Sequence, residues 1–131
     1  MYASCLDEML FTGDANGKER NEPTGNMASE IEGRLLALGS NVLKADLLKA
    51  PHHGSETANT TPFIEAVDPE YVIFSASTGH HLPKPTVIER YESPTRILLR
   101  TDVDRARMND LIVCGINQEE GFDCQYKVNT Q

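Results

Sequence analysis

An α/β layered fold is predicted by two features of the sequence. Short apolar runs rich in Val, Ile, Leu and Phe alternate with helix-period segments, and the first two runs close on the turn signals Gly13-Asp14 and Pro51. Residues 8–12 read as the first strand. Residues 16–26, polar and holding Pro23 and two glycines, read as a long loop. Ser29 followed by Glu32 has the form of a capping box, and Ile31, Leu35 and Leu38 fall on one helical face before Gly39 ends the helix. Residues 46–50 form a second strand closed by Pro51. Thr61-Pro62 opens a helix through Val67, because Pro suits the first helical turn. Residues 71–75, the most apolar run, are the central strand. Pro85 starts a helix to about Tyr91, residues 96–99 form a strand, and residues 111–114 and 124–128 pair antiparallel. There is no internal repeat, heptad seam or low-complexity tract.

At 131 residues with 39% hydrophobic content, the chain is long enough for one core and too short for two, so residues 1–131 are read as a single domain. A formal charge of -8 gives no standing attraction to phosphate backbones or anionic lipid. A nucleic-acid role would need a metal to offset that charge. No apolar run reaches bilayer length and no signal peptide precedes residue 8, which predicts a cytoplasmic chain with no membrane contact and leaves an exported parent protein open. Cys5, Cys114 and Cys124 have no zinc-ligand spacing; buried free thiols are the default, although Cys114 and Cys124 lie on runs able to form a hairpin.

Three segments sit where α/β folds place function, in turns just after strands. In Thr12-Gly13-Asp14, a carboxylate at a strand end can bridge divalent cations; taken alone, an Asp after Gly fits a turn or a helix cap better. In Pro51-His52-His53-Gly54-Ser55, a neutral imidazole is a favoured zinc ligand and the adjacent Gly leaves room for a metal. A pair of polar loop histidines accounts for the same residues equally well. In Gly79-His80-His81-Leu82-Pro83, a protonated His could contact a phosphate or act as general acid, and a solvated loop is the plainer account. Asp102, Asp104 and Asp110 fail the calcium-loop pattern because Ala106 stands where a ligand belongs. Ser75, Ser77 and Thr78 lack a nucleophile-elbow context.

Together, Thr12-Gly13-Asp14, Leu48-Lys49-Ala50-Pro51-His52-His53-Gly54-Ser55 and Gly79-His80-His81-Leu82-Pro83 resemble, in this order, the C-terminal half of the metallo-β-lactamase superfamily. The nearest resemblance is to the soluble hydrolase domain associated with the ComEC/Rec2 competence group, and it spans roughly residues 9 to 100. The implied fold is one half of an αββα sandwich, a mixed β-sheet with about three helices on one face. By position, Asp14 is implied to be the metal-bridging carboxylate and His53 the ligand of the last metal motif. His52 is the alternative, since neighbouring side chains leave a strand in different directions. His80 matches a loop histidine implied to contact substrate or leaving group. The implied metal is zinc, with manganese as alternative.

The first metal motif of that superfamily, H-x-H-x-D-H, and its next histidine precede the T-G-D turn, and no H-x-H occurs in this chain. All four histidines are already assigned. Residues 16–26 resemble an insertion between the first two motifs. The expectation is an incomplete half-domain without full hydrolase activity alone. The alternative is a metal-dependent hydrolase of phosphodiester or related ester bonds, completed by a second chain or a missing N-terminal half. A lone half would leave one sheet face bare, including residues 71–74, which predicts a homo-oligomer, most simply a dimer.

Overall fold

A computed structural model describes residues 7–22, 24–102 and 111–127. Four strands, β1 (Met9–Phe11), β2 (Leu47–Lys49), β3 (Tyr71–Phe74) and β4 (Ile97–Arg100), form a parallel sheet in sequential order. Parallel neighbours need crossover connections, here α1 (Glu30–Leu36) with α2 (Ser40–Leu43), then α3 (Thr61–Val67), then α4 (Pro85–Tyr91). Crossovers of one hand between sequentially ordered strands put every helix on the same face. The main core lies there: Leu48, Val72 and Phe74 of the sheet meet Phe63, Val67 and Tyr91 of the helices. The chain is therefore α/β as expected, with four α-helices among the described residues in place of about three.

Strand parity sends Leu47, Tyr71, Ile73 and Leu99 to the opposite face. A hairpin of β5 (Leu111–Asn117) and β6 (Gly121–Lys127) covers them with Phe122, Cys124, Ile112 and Cys114. Two expectations are corrected here. The sheet is not mixed, because the antiparallel pair forms its own two-stranded sheet. The face at Tyr71 to Phe74 is not bare, because the hairpin lies on it; Met9, Phe11 and Ile97 stay exposed toward the sheet's edges. Cys114 and Cys124 are register partners joined by a disulfide, so they are not free thiols. Cys5, Val128, Asp104 and Asp110 lie outside the described residues, and Asp102 is paired with the Arg100 guanidinium.

The first helix departs most from expectation. Ser29 makes no side-chain cap, and Glu32 does not reach back to it. Glu32 is instead fully buried, its carboxylate accepting the Asn59 N–H at 2.6 Å, the Thr60 N–H at 3.0 Å and the Thr60 hydroxyl at 2.6 Å. It thus satisfies donors at the start of α3 rather than of its own helix. Burying Glu32 turns α1 about its axis: Leu35 and Leu36 pack on the core, while Ile31 is 48% and Leu38 59% exposed. The loop before α1 is docked, not loose. Gly17 and Lys18 donate to the Thr57 carbonyl, and Thr61 donates to that of Gly25. Gly17 lies so close to the Glu32 carboxylate that a Cβ there would fall 1.8 Å from Oε2.

Candidate metal site

The ends of β1, β2 and β3 open onto one cleft of about 670 Å³, lined by Asp14, His52, His53, Ser75, His80 and Leu82. Parallel strands in one sheet present their C-terminal ends on the same edge, which brings together turns far apart in sequence.

Asp14 stands in a tight turn closed by the Ala15 N–H on the Thr12 carbonyl, with Gly13 at φ +57. The turn account of Thr12-Gly13-Asp14 is therefore correct for the backbone. Its side chain does not cap a helix; it reaches the second motif, with Asp14 Oδ1 3.4 Å from His53 Nε2. The two turns are also tied by the His52 N–H donating to the Gly13 carbonyl at 2.9 Å.

His53 is oriented by its other nitrogen, since Nδ1 donates to the Ser75 carbonyl at 2.6 Å. A carbonyl can only accept, so that contact places a proton on Nδ1 and turns Nε2 toward Asp14. This is the arrangement in which metal-ligating histidines are found, one nitrogen held by a backbone carbonyl and the other free to ligate. His52 faces elsewhere: its Nδ1 meets Asn16 Oδ1 at 2.9 Å, an oxygen that also accepts the Thr57 hydroxyl at 3.0 Å. His80, exposed on a short 3₁₀ turn (Thr78–His80), lines the same cleft.

The backbone of this turn is unusual. His52 (φ 48, ψ 43) and His53 (φ 55, ψ 21) are both left-handed, a region costly for side chains other than Gly. Gly54 follows at φ +84, where a Cβ would meet Pro83 Cβ at 2.3 Å and Phe74 at 3.0 Å. The small residue after His53 thus makes room for Pro83 and Phe74, not for a metal.

His53 Nε2 and Asp14 Oδ1 are suitable in chemistry and direction for one divalent cation. Among the described residues, no group of three His, Cys, Asp or Glu side chains gathers around one point. Sequence reasoning missed Asn16, the Ser75 carbonyl and the buried Asn59 behind the turn, because backbone acceptors and long-range amides leave no local pattern.

No protein-family model matches the chain, and no solved structure does. It is 31% identical over 100 residues, 75% of its length, to competence protein ComA of Neisseria gonorrhoeae. It is 33% identical over 81 residues, 60% of its length, to ComE operon protein 3 of Bacillus subtilis (strain 168). A third match, 34% identical over 71 residues and 53% of the chain, is the uncharacterized protein YcaI of Escherichia coli (strain K12). The chain spans only 13%, 10% and 9% of these proteins' lengths. It is a relative of a short segment of two much longer competence proteins.

Proposed function

We propose that this chain is the part of a metallo-β-lactamase-type, metal-dependent hydrolase that supplies Asp14 and His53 as metal ligands, and that it does not complete a hydrolytic site alone. The observation that carries this reading is the pair itself: His53 Nε2 stands 3.4 Å from Asp14 Oδ1 while Nδ1 is anchored on the Ser75 carbonyl. Two ligands fall short of the three, plus water, that a catalytic zinc needs. The remainder would come from a second copy or from sequence that flanks this segment in a longer protein. The brief spans matched in its relatives support the latter.

Zinc suits an imidazole and a carboxylate, and manganese is the alternative. A divalent ion held there would polarise an ester or phosphoryl oxygen and acidify a water. This chain's own residues have narrower tasks. Ser75 fixes the His53 tautomer, Asn16 turns His52 away from Asp14, and His80 on the cleft wall contacts the substrate's phosphate or leaving group. A charge of -8 makes the metal the local source of attraction for an anionic ester.

Among the described residues no helix is long and apolar enough to cross a membrane. The disulfide between Cys114 and Cys124 suits an oxidising compartment, since such bonds are rare in cytosolic proteins, and it weighs against the cytoplasmic expectation. A dimer through the whole sheet face has lost its premise under the hairpin. A second copy could still dock on exposed apolar side chains, among them Met9, Phe11 and Ile97.

The test is turnover of a phosphodiester such as bis(p-nitrophenyl) phosphate with added zinc or manganese. The isolated chain is expected to show no robust activity. Activity that disappears in Asp14→Ala would mean that copies of this chain complete the site between themselves.

A further inference from the structure

The histidine turn is held from behind by one buried side chain. Asn59 is fully buried, and its amide nitrogen donates to the carbonyl of Pro51 at 3.0 Å and to that of Ser55 at 3.0 Å. Those two residues bracket His52, His53 and Gly54. The remaining polar groups of Asn59 are also occupied: Oδ1 accepts the Tyr91 hydroxyl at 2.6 Å, the N–H donates to Glu32, and the carbonyl accepts from Arg90. We propose that Asn59 is a positioning residue for the metal site, clamping the turn in the left-handed form that aims His53 Nε2 at Asp14. The proposal rests on the reading of Asp14 and His53 as ligands.

Consecutive left-handed residues other than Gly persist only where surrounding structure over-determines them. Within the turn there is one such bond, from the Ser55 N–H to the His52 carbonyl. The other restraints at its two ends include both amide protons of Asn59. An amide suits this task because two donors on one nitrogen can reach two carbonyls at once, whereas a hydroxyl offers a single donor. Asn59 is anchored through its backbone, whose N–H donates to Glu32, itself locked by Thr60, while the Tyr91 hydroxyl satisfies only Oδ1, which takes no part in the clamp. The network thus runs from α1 through Asn59 to the cleft.

The experiment compares wild type, Asn59→Ser and Tyr91→Phe as intact chains. Imidazole nitrogen NMR of the metal-free protein reads the His53 tautomer, and calorimetric titration with Zn²⁺ reads affinity. Tyr91→Phe perturbs the same network without removing either clamp bond, so it controls for a general loss of stability. Asn59→Ser is expected to change His53 from a single Nδ1–H form to a mixture and to weaken Zn²⁺ binding about tenfold or more. Tyr91→Phe is expected to change neither. A folded Asn59→Ser with wild-type His53 signals, or a Tyr91→Phe that shifts them equally, would overturn the proposal. If the wild type binds no Zn²⁺, the ligand reading fails while the tautomer still decides positioning. Should Asn59→Ser not fold, hydrogen exchange of the wild-type Asn59 side-chain amide decides: protection supports the clamp, and exchange at the rate of an exposed amide refutes it.

Discussion

The turn at Pro51 to Ser55 has a dry side and a wet side, held by different physics. Behind it, Glu32, Asn59 and Thr60 are fully sealed from water and every donor among them meets an acceptor. In front, His53 and Asp14 have side chains 44% and 67% exposed and share one 3.4 Å contact. A buried polar network is expensive to disturb, because each group left behind loses water and partner together. An exposed pair contributes little to folding. Stability is thus placed where the turn is shaped, leaving the cleft side free for a ligand.

The largest expected effect is at the dry side. Glu32→Ala strands three buried donors and is expected to cost about 3 kcal/mol, a melting drop on the order of 10 °C, read by thermal denaturation. A loss close to that of a surface substitution would break the contrast. Gly54→Ala comes next. A φ of +84 and a Cβ 2.3 Å from Pro83 predict a loss of about 2 kcal/mol, together with displaced His53 signals. Replacing both Cys114 and Cys124 by Ser is expected to cost about 2 kcal/mol by freeing the hairpin. Zn²⁺ affinity should not change, because the hairpin packs on the sheet face away from the helices; a changed affinity would tie the two regions together.

A smaller effect depends on pH. Burial raises the Glu32 carboxyl above its usual range, against the opposing hydrogen bonds from Thr60 and Asn59 and the nearby Arg90 charge. The folded chain therefore holds this proton to higher pH than the unfolded chain does. The contribution is complete in acid, below the unfolded value, and is lost as pH rises through the folded value. Wild-type stability relative to the non-titrating Glu32→Gln should fall in denaturant titrations as pH rises from the unfolded value of about 4.3 through the raised folded value. A rising difference would contradict the dominance of burial.

Much of this architecture was legible because its signals are local. Helices α3 and α4 run over the residues that Pro62 and Pro85 announce, and the four parallel strands fall within one residue of the apolar runs, whereas β5 runs three residues beyond Cys114 and β6 starts three residues before Cys124. The first helix was misread where a local motif met a tertiary demand. Ser29 and Glu32 have capping-box spacing, but Glu32 is used 27 and 28 residues away at Asn59 and Thr60. The hairpin could be anticipated, whereas its disulfide depends on a register that places Cys114 opposite Cys124. In the cleft, the strand-end rule located Asp14, His53 and His80. It could not show that His52 is turned toward Asn16, nor that His53 is oriented by the Ser75 backbone.

In the proposed function, Asp14 and His53 together ligate one divalent metal while adding little to folding. Cobalt(II) titration followed by visible absorption tests it on wild type, Asp14→Asn and His53→Ala, with melting curves alongside. Wild type is expected to show a weak site that disappears in both variants. Asp14→Asn should melt within about 0.5 kcal/mol of wild type. Binding that survives in both variants, or that is absent from the wild type, would contradict it.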